Sequence, residues 1–134
     1  MQHKLREVFN IQLQQQRLVI LSDLRLLEMR LQQEKQALRR LQQQSTDYLN
    51  QYDQLFRLLS LMLLSQKFDL TNHQPHQVLK NTMEQMFPDI DVYRVVQQRH
   101  RLKKRLTSKQ DLAAQQDLNF MLNKFESFLQ AYEI

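Results

Sequence analysis

The fold of this 134-residue chain is decided by the stretch from Ile20 to Met62, which reads ILSDLRLLEMRLQQEKQALRRLQQQSTDYLNQYDQLFRLLSLM. Apolar side chains recur there at two positions of a seven-residue repeat, and only Glu34 and Ser45 interrupt the pattern. Such a repeat is typical of a helix with a coiled-coil seam. Because the phase holds through QQQSTD (42–47), the sequence predicts one continuous helix from about residue 4 to 66. At 1.5 Å per residue that helix would be roughly 90 Å long.

Outward from this stretch, the clearest break in the chain is FDLTNHQPHQ (68–77), where Asp, Thr, Asn and Pro are concentrated. The sequence therefore predicts a connector over 67–76, a short helix over about 76–86 and return helices over about 90–133. Short connections make successive helices antiparallel neighbours. The expected fold is a single helical domain over 1–134, built as a long antiparallel helical hairpin or coiled coil.

The composition supports an all-α fold. Glycine is absent and proline occurs twice, while leucine and glutamine, which lose little rotamer freedom in a helix, are the most frequent residues. Glycine is required where the backbone approaches a phosphate closely, so its absence excludes a P-loop and a Rossmann fingerprint and argues against tight β-hairpins. The apolar stripe of the long helix is wider than a coiled-coil seam needs. We therefore expect closure into a three- or four-helix bundle, by the short extra helix or by dimerisation.

Basic residues are concentrated in QQRHRLKKRL (97–106), and the whole chain has a net charge of +5. In the predicted hairpin this run lies beside a second basic cluster from the long helix, forming a positively charged belt. Such a belt can be a solvated face, a contact for an acidic protein partner, a contact for nucleic acid phosphates or a membrane-surface contact. The first two interpretations are favoured because no aromatic residue is interleaved for base stacking. The candidate contact residues are Lys35, Arg39, Arg40, Arg94, Arg99, Arg101, Lys103, Lys104, Arg105 and Lys109.

A second candidate surface is apolar. The C-terminal stripe is unusually aromatic and could dock on a partner helix, or could instead pack against the apolar residues at the start of the chain. The candidate helix-partner residues are two leucines of the long helix and four aromatic residues of this stripe: Leu58, Leu61, Phe120, Phe125, Phe128 and Tyr132.

The sequence offers little for catalysis or for a cofactor. His73 and His76 lie three residues apart, but a zinc site needs three or four ligands and the chain has no cysteine. We therefore expect no enzyme activity, no metal, no cofactor and no small-molecule substrate. The N-terminal residues lack the apolar core of a signal peptide, and the apolar run 55–65 is too short to span a bilayer. A soluble, cytoplasmic protein is expected.

The segment YLNQYDQL (48–55), within a long basic hairpin, resembles the small stalk proteins inside type III and flagellar export ATPases. That resemblance implies a two-helix stalk. The function predicted from the sequence is a self-associating, non-enzymatic coiled-coil module for protein–protein interaction, as an adaptor, stalk or assembly subunit. The alternatives are a nucleic-acid-binding accessory protein that uses the basic belt, and a helical chaperone.

Overall fold

The structure, a computed structural model, describes residues 3–131. Within that range the chain is essentially helical with one very small sheet, which confirms the predicted all-α class. The helices are α1 (His3–Gln14), α2 (Leu24–Gln42), α3 (Tyr48–Ser65), α4 (Pro75–Met86), α5 (Val92–Lys103) and α6 (Leu112–Ala131), and the strands are β1 (Leu18–Ile20) and β2 (Phe68–Leu70).

The prediction of one continuous helix over about 4–66 is wrong, because this region is divided into α1, β1, α2 and α3. Two aspartates start the later helices. The Asp23 side chain accepts hydrogen bonds from the backbone N–H groups at the start of α2, and the Asp47 side chain accepts one from the N–H of Asn50 at 2.8 Å. Caps of this kind satisfy N–H groups that have no partner within the helix. The two-helix stalk implied by the resemblance above is likewise replaced by six helices in the described range.

The predicted long hairpin about the connector 67–76 does not form, and a shorter antiparallel hairpin that turns at residues 43–47 lies within the region predicted as its first arm. α2 and α3 are its two arms, and they pack together more extensively than any other two elements of the described chain. Their antiparallel register is fixed at two points. Arg57 donates to Glu34 at 2.8 Å, and the Asn50 side chain donates to the carbonyl oxygen of Leu41 at 3.0 Å.

The predicted connector contains β2, which pairs antiparallel with β1 so that Leu18 lies opposite Leu70. The short helix predicted over about 76–86 is present as α4, with Pro75 in its first turn, where proline lacks only an N–H that needs no helical partner. The predicted return over about 90–133 contains α5 and α6, capped by Asp91 and Asp111. Secondary structure was therefore predicted better after residue 66 than before it.

Since glycine is absent, other residues adopt the left-handed backbone conformation that ends several helices. Gln16, Lys67 and Arg105 have φ values of 62°, 66° and 57° just after α1, α3 and α5. After α1 the Arg17 N–H donates back to the Gln12 carbonyl at 2.9 Å, which is the closing bond of a Schellman motif. A side chain in this conformation carries a steric cost that glycine avoids.

The core is built around α3, whose residues from Leu58 to Leu64 are all buried. α3 packs against α2, α5, α6 and β2, and α1 packs against α4. Over α3, the width of the apolar stripe that the sequence displayed is thus accounted for by other elements of the same chain. On α6 the buried side chains are Ala114, Leu118, Met121, Leu122, Phe125 and Leu129.

Candidate binding surfaces

A cleft with three arginines lies where α2, α3, α4 and α5 meet, and its volume is about 360 Å³. Arg40 comes from the last turn of α2, Arg57 from α3 and Arg99 from α5. Arg40 and Arg99 belong to the two basic clusters that the sequence predicted to be neighbours, and the structure brings these two side chains to one site. The lining residues are Ala37, Arg40, Leu41, Gln44, Asp53, Phe56, Arg57, His76 and Arg99.

The three arginines are held differently. Arg57 donates to Glu34, whereas Arg40 is exposed and forms no ion pair with any residue of the described range. Arg99 lies over the ring of Tyr52, 5.5 Å from its centre, and its Nε is buried without a hydrogen-bond partner among the described residues. A cation over an aromatic face is attracted by the ring quadrupole, so Tyr52 helps to position Arg99.

Asp53 is the one carboxylate that lines this cleft. Burial raises the pKa of the Asp53 carboxyl, and the positive charges of Lys103, Arg99 and Arg57 oppose that rise. With three guanidinium groups against one carboxyl group, the lining has a surplus of positive charge.

His76 closes the cleft on the α4 side. Its Nδ1 is 3.1 Å from the Tyr52 hydroxyl, and its ring lies 4.9 Å from that of Phe56. Burial and the nearby positive charge of Arg99 lower the pKa of His76 to about 4. His76 is therefore neutral near pH 7, and it is a packing residue rather than part of a surface loop as the sequence suggested.

The depressed pKa of His76 predicts that the folded state loses stability in mild acid. Between pH 6.5 and pH 4 the unfolded chain takes up a proton at His76 that the folded chain does not, so the free energy of unfolding falls as the pH falls. We expect a loss of about 2 kcal/mol between pH 7 and pH 4.5, to be measured by urea unfolding at a series of pH values.

In His76→Gln this part of the pH dependence should disappear, while His73→Gln, an exposed loop substitution, should leave it unchanged. The comparison isolates His76 because wild type and His76→Gln share every other titratable group, including Asp53 with its raised pKa and Asp111 with its lowered pKa. An unfolding free energy that depends on pH equally in wild type and His76→Gln would contradict the prediction.

The predicted basic run is divided by the end of α5. Arg101 and Lys103 lie in the last turn of this helix, where positive charge is favourable next to the helix dipole, and Lys104 and Arg105 follow it. All four are exposed and form no ion pair with a described residue. Of the two leucines in this run, Leu106 is 70% exposed, whereas the half-buried Leu102 contacts the core.

The other predicted basic residues are distributed over separate sites. Arg94 pairs with Asp111 at 2.7 Å, and its guanidinium holds the pKa of that carboxyl below its usual range. Lys109 borders the same hollow between α5 and the segment before α6. Lys35 and Arg39 lie one turn apart on α2. Lys35 is half-buried, and Arg39 is exposed. Of the two predicted basic clusters, the structure therefore brings together Arg40 and Arg99, and the cleft that they line takes the place of a continuous belt.

Most of the predicted helix-partner residues are not available to a partner. Leu58, Leu61 and Phe125 are buried in the core, so none of them is a candidate for a partner contact, and for Phe125 this agrees with the packing alternative that the sequence left open. Phe128 is half-buried and packs against the core, and Tyr132 lies outside the described residues. Phe120 is 49% exposed and lies edge-on to Phe87.

An exposed apolar surface at the start of α2 was not predicted from the heptad pattern. Glu34 is the buried residue of this helix, and α3 is the element against which α2 packs extensively. Its first turns and the preceding strand β1 expose large apolar side chains within eleven residues of sequence. These residues are Val19, Ile20, Leu24, Leu26 and Met29, and Leu24 and Ile20 are 69% and 66% exposed.

An ion-pair network centred on the buried Glu34 ties the hairpin to β2. Arg30 bridges Glu34 and Asp69 at 2.9 Å each, and Arg57 donates to the other oxygen of Glu34. The sequence contained a signal for this network, because Glu34 interrupts the heptad pattern and Arg57 interrupts an apolar run. Each is a charged residue within an apolar pattern, and the two charges pair with each other in the structure.

Two further features of the described range bear on chemistry. Residues 3–131 contain no group of three or more His, Asp or Glu side chains placed to hold a metal ion. Across the same residues no helix is long and apolar enough to cross a membrane.

No family model, curated protein or solved structure matches this chain.

Proposed function

We propose that this protein is a non-enzymatic helical module for protein–protein interaction, acting as an adaptor or assembly subunit. The observation that carries the proposal is the one-sided packing of α2, which leaves Leu24, Leu26 and Met29 exposed beside Val19 and Ile20. Five of the exposed large apolar side chains of the described residues lie within these eleven residues of sequence, and such a concentration is typical of a protein contact site.

The charges on the same helix indicate what kind of partner would fit. α2 ends with Arg39 and Arg40, both exposed, one helix length from the apolar residues. A partner that covers α2 would offer apolar side chains to Leu26 and Met29 and acidic side chains to the two arginines. The partner class that this favours is an acidic protein segment with an apolar face.

The test is a pull-down from the host with and without nuclease, combined with sedimentation analysis for self-association. Wild type should recover a protein whose binding survives nuclease, and Leu26→Glu with Met29→Glu should lose it. Gln116→Glu with Asn119→Glu, two exposed positions on α6 rather than α2, is the matched charge control and should retain it. A strictly monomeric protein that recovers no such partner would rule out the proposal.

Nucleic acid binding is the second candidate, favoured by the four exposed and unpaired cations Arg101, Lys103, Lys104 and Arg105. Binding through phosphate contacts weakens steeply with salt because counterions are released. A gel-shift titration should then show affinity that falls with salt and is lost when these four residues become Glu. Failure to shift DNA or RNA even at low salt would exclude this candidate.

A further inference from the structure

We infer that the cleft lined by Arg40, Arg57 and Arg99 is a binding site for a small organic phosphate. The arginines would hold the phosphate group, and the apolar wall around Phe56 would contact a flat organic group attached to it. This site shares Arg40 with the charged end of the surface proposed above but includes none of its apolar residues, and it does not depend on the proposed function.

The charge of the cleft favours an anionic ligand. Guanidinium groups from three different helices converge on one cleft, and Asp53, the one carboxylate among its lining residues, offsets only part of their mutual repulsion. Arg57 has a carboxylate partner in Glu34, but Arg40 and Arg99 have no ion-pair partner among the described residues. A phosphate fits this arrangement because the planar guanidinium fork matches two phosphate oxygens at once.

Arg99 has an unsatisfied donor and a fixed position, and both favour ligand binding. Its Nε is buried and has no hydrogen-bond partner in the described range, which is unfavourable for a donor withdrawn from water. The ring of Tyr52 lies under its guanidinium, and the Tyr52 hydroxyl is within hydrogen-bond distance of His76. Arg99 is therefore positioned before any ligand arrives, so little ordering entropy would oppose binding.

The volume of the cleft and its apolar lining indicate the class of ligand. A volume of about 360 Å³ exceeds what a phosphate ion needs and lies within the range of small-molecule sites. Ala37, Leu41 and Phe56 provide apolar contact beside the arginines. A nucleoside monophosphate combines these two requirements, a charged phosphate and a flat ring, so it is the ligand class that we assign.

The experiment is a calorimetric titration of the full chain with adenosine monophosphate, inorganic phosphate and adenosine. Adenosine monophosphate should bind most tightly, phosphate more weakly, and adenosine not detectably. Arg99→Gln and Arg40→Gln should each weaken the binding of adenosine monophosphate about tenfold or more, because each removes charged hydrogen bonds to the phosphate. Arg39→Gln, the neighbouring exposed arginine that does not line the cleft, is the control and should bind like wild type.

Arg40→Gln keeps the test valid if Arg99→Gln unfolds the protein, because Arg40 is exposed and unpaired, and the thermal midpoint of this variant should equal that of wild type. Three results would overturn the inference. The first is no binding of adenosine monophosphate at millimolar concentration. The second is an equal loss in Arg39→Gln, and the third is adenosine binding as tightly as its monophosphate.

Discussion

Replacing Phe125 with alanine is expected to lower the free energy of unfolding by about 3–5 kcal/mol. Phe125 is 0% exposed and belongs to the core around α3. Its truncation removes the apolar contacts of the ring and leaves a cavity that helices on several sides cannot fill by small movements. Urea unfolding followed by circular dichroism at 222 nm measures the change.

The matched control is Phe120→Ala on the same helix. Phe120 is half-exposed, with Phe87 and Lys124 beside its ring, so its truncation should cost less than about 1 kcal/mol. Equal costs for the two alanine variants would mean that Phe125 is not a core residue. The partner contact, which was one of the two interpretations of the C-terminal aromatic stripe, would then apply to it.

The helical class and the later helices could be predicted from the sequence because their signals are local. Pro75 marks the start of α4, and the spacing of Ala114, Leu118, Met121 and Phe125 marks the buried face of α6. Each signal depends on residues within a few turns of one another. For such segments the periodicity of apolar residues and the helix caps agree, and either alone gives nearly the same boundary.

The division of the first half could not be predicted from periodicity, because the apolar phase continues through the turn at 43–47. Two packed helices of a hairpin need apolar residues on facing sides, and a turn that conserves the phase leaves the same pattern as one long helix. The deciding residues are Asp23 and Asp47, whose carboxylates cap new helices. The pairing of β1 with β2 depends on a contact across about fifty residues, which a local pattern cannot reveal.

The candidate sites divide in the same way. The proximity of Arg40 and Arg99 was predicted from a hairpin that turned at the wrong place, and it is realised because α2 and α5 both pack against α3. Burial of Leu58 and Leu61 was missed because a single apolar stripe does not state how many helices cover it. His76 was read as a loop residue because its role depends on Tyr52 and Phe56, which are distant in sequence.

The second large effect is expected at Glu34, where alanine should lower the free energy of unfolding by about 3 kcal/mol. The Glu34 side chain is 4% exposed and accepts from both Arg30 and Arg57. Removing it leaves two cations at the α2–α3 contact, of which Arg30 keeps Asp69 and Arg57 keeps none. The expected cost is at the low end for a broken buried ion pair because Arg57 retains contact with solvent.

Glu28→Ala on the exposed face of the same helix is the charge-matched control and should change the free energy of unfolding by less than about 0.5 kcal/mol. A double-mutant cycle with Arg57→Ala then separates the ion pair from the packing of each side chain. If the pair holds the hairpin in register, Glu34→Ala and Arg57→Ala together should cost about 1–2 kcal/mol less than the sum of the single changes, because the second substitution removes the cation that the first left unpaired. Additive costs would mean that Glu34 stabilises α2 without Arg57. The hairpin would then depend on its apolar contacts and on the Asn50 tether alone.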